Sequence, residues 1–508
     1  MTTTNAKLIS NTFGGIRGVT SAFNDTIITA TDMQNVELYN TGINGGVGIR
    51  TMLGNKAISS NIPKDEKIIN IFESIQYGKK YIFVHTENSI EGKIYRFNID
   101  NGSTTLLRDL LSITGFSCGI DFAQGDSDLF IFSTSEEMLI IEMNAQEQVS
   151  DYLVEDVDGV YLKACGFASY DSRLWLFNKN KLWYSVQNNI YDFKTSDAEL
   201  KTSSGYIFYG KSITAITPYL GSLAIFFFDS SIVLSGEFPY SQSEESPGGC
   251  ANQNSFVFHG TELYFFDYSK KGVYSFKQVV LGDKTLGNNI ALEIQSELFN
   301  IDYEKLKDIR ALSVMLAQKN EIWFLIPTLD DYSIILIYDY IHGEWIKRKS
   351  QKIHSIAIVN DNLVSGSIDG KILLEYTGQS FDGKFIEHYY QCTPFNLGSE
   401  TTLKVLYFPP RVAVEGSNYC NSFYVKYIKN YDTSRPKIKL IKSRFGRFLF
   451  WDIGFWDINY WASNILRFLK KLPSATFKTL QIFFYTTNQA QDFCIKSIEF
   501  SRIKVKQI

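Results

Sequence analysis

The chain has 508 residues, 44% hydrophobic and 20% charged, a balance that excludes gross disorder and asks for more than one hydrophobic core. No apolar run reaches membrane-spanning length, so no transmembrane helix is expected. The start, "MTTTNAKLISNTFGG", lacks a charged stretch followed by an apolar one, so the expectation is a protein without a secretory signal, made in the cytoplasm.

The net charge of −4 is unevenly placed. Residues 401–508 carry 18 Lys/Arg against 6 Asp/Glu, a balance of +12 that leaves −16 for the first 400. Aromatic residues reach 15%, with 39 Phe and 30 Tyr, which fits a strand-rich protein because flat rings suit a pleated surface. Only 10 Pro occur, so few strands are forced to a sheet edge.

In chain order, residues 1–60 read as an N-terminal arm, with a strand near residues 48–52. A repeated hairpin then begins. Its first strands read "KYIFV" from Lys80, "DLFIF" from Asp128, "RLWLF" from Arg173, "SLAIF" from Ser222, "ELYFF" from Glu262, "EIWFL" from Glu321 and "NLVSG" from Asn362. A second apolar run follows each within a short polar gap, as "KLWYS" follows "RLWLF". Copies start roughly 40 to 60 residues apart, the period of propeller blades. A small sheet has two apolar faces and cannot bury them alone, whereas sheets packed radially hide both. The reading is therefore all-β: a β-propeller of six or seven blades over residues 61–385. The arm's strand near 48–52 is expected to close the ring by joining the last blade. A pair of β-sandwiches is the competing architecture, but it needs no superperiod.

Between "GVYSFKQVV" and "EIWFL" the series is interrupted. Ile290, Ile294, Leu298 and Ile301 share a face at helical spacing, as do Leu306, Ile309 and Leu312. This predicts a helical insertion near residues 287–318, either a cap on the ring or a contact with a neighbouring subunit. Residues 386–508 then alternate with period two, as in "NSFYVKYIK" and "KTLQIFFYTTN", which predicts a C-terminal β-sandwich. Within it, Trp451, Phe455 and Trp456 lie in an aromatic cluster. Such rings either cover the sandwich or anchor an interface, since they bury much area at little entropic cost. The basic excess here reads as a solvated strand face or as a surface that docks on an acidic partner.

Signs of chemistry are sparse. None of the five His stands at zinc-site spacing from another ligand, and the six Cys show no CxxC, so reduced thiols and no metal or cofactor are expected. No P-loop and no GxSxG elbow occurs. "EDVDG" (155–159) lacks the closing Glu of a calcium loop and reads as a turn. No residue is assigned a catalytic role, although a propeller could assemble carboxylates from distant blades.

Two stretches carry a family resemblance. One is the segment 14–58, with Asn35 in "NVELY", Arg50 and the Leu53–Gly54 pair. The other begins with the helical segment "IQSELFNIDYEKLKDIRALSVMLAQKN" from Ile294 and runs through "EIWFL" (Trp323) and the hairpin of Tyr338, Asp339, Gly343, Glu344 and Trp345 to "DGKI". Together they resemble the tail hub or nozzle propellers of short-tailed bacteriophages. That resemblance implies a non-enzymatic virion protein, assembled in the host cytoplasm as a homo-oligomeric ring, typically of six. The ring would lie below the portal and adaptor, pass viral DNA, and dock other tail proteins such as fibres or spikes. An acidic bore would keep DNA mobile. On this reading Trp451, Phe455 and Trp456, together with Ile290, Ile294, Leu298, Leu306 and Ile309, are the candidate interface residues. The competing functions are a receptor- or glycan-binding virion protein and a propeller polysaccharide hydrolase or lyase.

Overall fold

Each of the seven apolar pairs forms two adjacent strands of a small antiparallel sheet in the computed structural model. The structure describes the chain outside residues 1–2, 11, 18–27, 42–45, 59–61, 77, 99–102, 126, 144–148, 196–201, 277–288, 300, 315–318, 329–331, 396–401, 407–409, 416–421, 443–466, 473–474, 490 and 507–508. It divides into two compact units. One comprises Met1–Asn55, Leu336–Lys349 and Tyr376–Ile508; the other comprises Lys56–Ile335 and Ser350–Glu375.

The sheets follow one another along the chain: I (residues 67–111), II (118–152), III (166–208), IV (213–247), V (256–275), VI (310–351) and VII (353–375). Residues 336–349 of sheet VI are counted with the first unit. Four of the sheets are four-stranded by consecutive strands alone, whereas sheet VII gains its fourth strand from Asn55–Ile58, about 300 residues earlier in the chain. That strand, and not residues 48–52, joins the last sheet. Val47–Thr51 instead pairs with Val36–Asn40 and with Cys494–Lys506, which sets Ile49 opposite Leu38 and Ile495, all buried.

Packing explains why the central hairpins are so apolar. In Arg173–Asn178 five consecutive residues are buried, because alternate side chains serve opposite faces. Leu174 and Leu176 pack with Leu129, Ile131 and Ile140 of sheet II. Trp175 and Phe177 pack with Ile216, Leu223 and Ile225 of sheet IV. Similar clusters join I to II, where Phe83 and Phe130 stack at 4.8 Å, and IV to V through Phe226 and Phe265. Another joins the last sheet to the first, with Val359, Val364 and Ile372 against Ile68, Ile82 and Val84. Each large side chain so buried stabilises the fold by about 1.5–3 kcal/mol.

The first unit is built from both ends of the chain. One sheet runs Phe13–Ile16, Ile28–Gln34, Tyr389–Cys392, Leu480–Tyr485, Ser422–Lys429, Asp432–Lys442. In the other, Cys494–Lys506 is the hub, pairing with Thr3–Ser10, Arg411–Glu415, Leu403–Leu406 and Val47–Thr51. The N-terminal arm is thus part of the C-terminal body. Four of the basic residues, Arg435, Lys437, Lys439 and Lys442, fall on the edge strand Asp432–Lys442. There the exposed Lys437 and Lys439 stand opposite the buried Tyr427 and Val425, with Pro436 just before them. Exposed lysines and a proline on an edge strand oppose further strand pairing.

The predicted helical insertion is shorter than its periodicity. It consists of a 3₁₀ turn at Leu292–Ile294, one helical turn at Gln295–Phe299, and a 3₁₀ segment at Tyr303–Asp308. Leu312, read as helical, lies on the strand Arg310–Val314 opposite Trp323. Strand pairing overrides its spacing.

Candidate functional sites: a motif seam and a buried polar cluster

The predicted interface residues fall into two groups. Trp451, Phe455 and Trp456 lie outside the described residues. Of the second group, Ile294, Leu298 and Ile309 are fully buried within the chain, while Ile290 and Leu306 are half-buried. A side chain already buried in its own unit offers nothing to a neighbour. The apolar groups this segment does present are Leu292 and Phe299, 66% and 61% exposed, with Lys271 Nζ 5.5 Å from the Phe299 ring.

In the first unit, the two stretches that carry the family resemblance meet. The hairpin between Tyr332–Asp339 and Glu344–Gln351 turns at Asp339, whose Oδ1 accepts from the Ile341 and His342 amides, with Gly343 at φ +67°. Its next residue, Glu344, accepts from the Gly15 amide at 3.1 Å and from Arg17 Nη2 at 2.7 Å. Asn35, at φ +55°, donates its amide to the Lys347 carbonyl and accepts from the Lys349 amide, both at 2.9 Å. Lys347 Nζ reaches Asp32 at 2.7 Å, and the buried Arg348 donates to the carbonyls of Leu53 and Gly54. Arg50 pairs with Glu37 at 2.6 Å. The motif residues thus hold one seam. Sequence reasoning found the residues but not their pairing, because nothing in a 300-residue separation signals contact.

In the second unit the first strands of successive sheets converge. They line a cavity of about 250 Å³ with Phe72, Cys118, Phe167, Ile216 and Phe256. Gln253 bridges it: its Nε2 donates to the carbonyls of Phe167 and Ile216, and its Oε1 accepts from the Ile216 amide at 2.9 Å. Asn70 and Asn254 both donate to the Ser117 carbonyl, at 3.1 and 3.2 Å.

Around the starts of these strands lies a cluster of buried and half-buried ionisable groups that the sequence did not announce. Lys67 and His85 come from sheet I, Arg310 from VI and His354 from VII. Burial, with the Arg310 charge beside it, lowers the His85 pKa to about 3. Burial and the charges of Arg310, Lys67 and Lys307 hold His354 well below its ordinary value. Arg310 itself is lowered to about 10, chiefly by burial. In the first unit His388 is lowered to about 4 by burial, with Nε2 donating to the Met52 carbonyl at 3.1 Å.

These shifts set a pH dependence. A histidine kept neutral in the fold takes up a proton only on unfolding, so its contribution is complete above pH 6.5 and falls as pH drops from 6.5 towards the folded value. Each such group contributes a slope of about 1.4 kcal/mol per pH unit. Between pH 7 and 5 the second unit, with His85 and His354, is expected to lose about 4 kcal/mol, and the first about 2. Urea midpoints at the two pH values measure this, and His85→Gln should flatten the profile of the second unit. A flat wild-type profile would refute the assignment.

Two exposed aromatic surfaces also stand out. Lys181 Nζ sits 4.6, 4.1 and 5.5 Å from the rings of Trp183, on its own strand, and of Tyr206 and Phe208, on the neighbouring edge strand of sheet III. A second surface carries Tyr152, Leu153, Val157, Val160, Tyr161 and Tyr191, all exposed. Its turn is the "EDVDG" stretch, where Asp156 Oδ1 accepts from the Asp158 and Val160 amides and Gly159 has φ +74°. Among the described residues no cluster of His, Cys, Asp or Glu could hold a metal ion, and no helix is long and apolar enough to cross a membrane. No protein-family model and no curated protein matches the chain.

Proposed function

We propose that the chain is a structural protein of a short-tailed bacteriophage tail. It assembles as a closed homo-oligomeric ring, typically of six, that passes DNA and docks other tail proteins. Within it the second unit is a seven-bladed β-propeller and the first a β-sandwich. The propeller reading is supported by the core clusters, which join I to II, II to III, III to IV, IV to V and VII back to I. It is supported too by the early strand Asn55–Ile58 in sheet VII, which would fasten the first and last blades. The sandwich reading rests on rings such as Phe395 and Phe500, 5.6 Å apart, which join the two sheets of the first unit.

The observation that carries the functional reading is the seam. Residues in the two resembling stretches, distant in sequence, are bonded to one another through Glu344, Asn35 and Arg348. This gives their joint occurrence a physical reason and supports treating them as one signature. Mass photometry and electron microscopy of the purified protein, alone and with candidate tail partners, test the proposal. Closed rings are expected. A monomer under every condition, or a bore lined by Lys and Arg, would overturn it.

A further inference from the structure

The guanidinium of Arg310 is only half used. The residue is 3% exposed, and Nη1 donates to the carbonyls of Lys307 at 2.5 Å and Ile309 at 3.4 Å. Nε and Nη2 meet no acceptor among the described residues. These two N–H groups share one edge of the planar fork, the edge that receives two oxygens side by side.

The nearby acids do not fill it. Glu87 is committed to the amides of Thr114 and Gly115, at 2.9 and 3.0 Å. Asp308 lies 3.8 Å from His354 Nε2 and acts on Arg310 through space only. Lys67 stands in the field of Arg310 and Lys307. Within the cluster Lys67 and Arg310 face Asp308 and Glu87, with both histidines neutral and the exposed Lys307 at its rim, where Nζ donates to the Thr114 carbonyl. A buried, charged donor pair without an acceptor is costly unless an anion answers it.

We propose that the Nε/Nη2 edge of Arg310 binds a small oxyanion, of phosphate or carboxylate type, with Lys67 as its second cationic partner. The ion ties sheet VI to sheet I inside the second unit and goes beyond the tail-protein reading, on which it does not depend. Because it binds only the folded state, it stabilises by mass action.

The test uses the full chain, first dialysed into chloride buffer. Inorganic phosphate, acetate and additional chloride are then titrated at matched ionic strength, with thermal midpoint and calorimetric stoichiometry as readouts. One oxyanion per chain is expected, with a midpoint that climbs with phosphate or acetate and not with chloride; the stronger of the two identifies the oxyanion class. Arg310→Lys removes the fork and should abolish this response. Lys67→Gln, at a half-buried position, should weaken binding about tenfold while the protein still folds. Coincident oxyanion and chloride curves would overturn the proposal, as would an unchanged response in Arg310→Lys. If that variant does not fold, an unchanged affinity in Lys67→Gln overturns it.

Discussion

Trp175→Ala is expected to destabilise the second unit by about 4 kcal/mol, in the range of large-to-small changes at fully buried aromatic sites. The indole is 0% exposed. It lies 4.9 Å from the Tyr184 ring and 5.2 Å from Tyr240, and its Nε1 donates to the Tyr170 carbonyl at 3.0 Å. Truncation removes the largest side chain of the cluster that joins sheets III and IV. It leaves a cavity between two sheets that several other contacts hold apart, so collapse is limited. Trp175→Phe keeps a ring and loses only the hydrogen bond and some volume, so about 1–2 kcal/mol is expected. Urea unfolding followed by far-ultraviolet circular dichroism measures both. A cost below about 1 kcal/mol for the alanine variant would mean that the two sheets repack freely, against the packing described.

Gly15→Ala should damage the first unit comparably, by about 3 kcal/mol, at the upper end of overpacking costs. A Cβ at this position would lie 2.8 Å from the Trp345 amide nitrogen and closer still to its carbonyl oxygen. Both are backbone atoms that cannot swing aside. The alternative is for the arm to lift, which breaks the Gly15–Glu344 and Arg17–Glu344 hydrogen bonds. Hydrogen exchange should then show lost protection in Phe13–Ile16 and in its partner strand, with sheets I to IV unaffected. Unchanged protection there would show that the seam does not hold the arm.

The hairpins were legible because both faces of each central strand are buried, which leaves a run such as "LWLF" that only a sheet covered on both sides produces. The outer strands were not. Thr104–Leu111 buries only its last residue, so its pattern resembles a loop. The arm's partners were equally hidden: alternation tells that a strand is half-buried, not that Thr3–Ser10 pairs with Cys494–Lys506. Ile290 to Leu312 misled because 3₁₀ turns and a following strand happen to space their apolar residues like a helix. The buried ionisable cluster left no local trace, since Lys67 and His85 come from sheet I, Arg310 from VI and His354 from VII.

The pairing of Thr3 with Lys504 has a bearing on biogenesis. At ribosomal speeds of roughly 5–20 residues per second, the N-terminal strand waits about half a minute or longer before its mate emerges. Through that interval residues 3–10 are an unsatisfied strand, open to the wrong neighbour in a crowded polysome. Sheets I to V need no such delay and can mature while translation continues. A nascent chain stalled near residue 400 should therefore protect the hairpins of sheets I to V from protease while residues 3–10 are still cleaved.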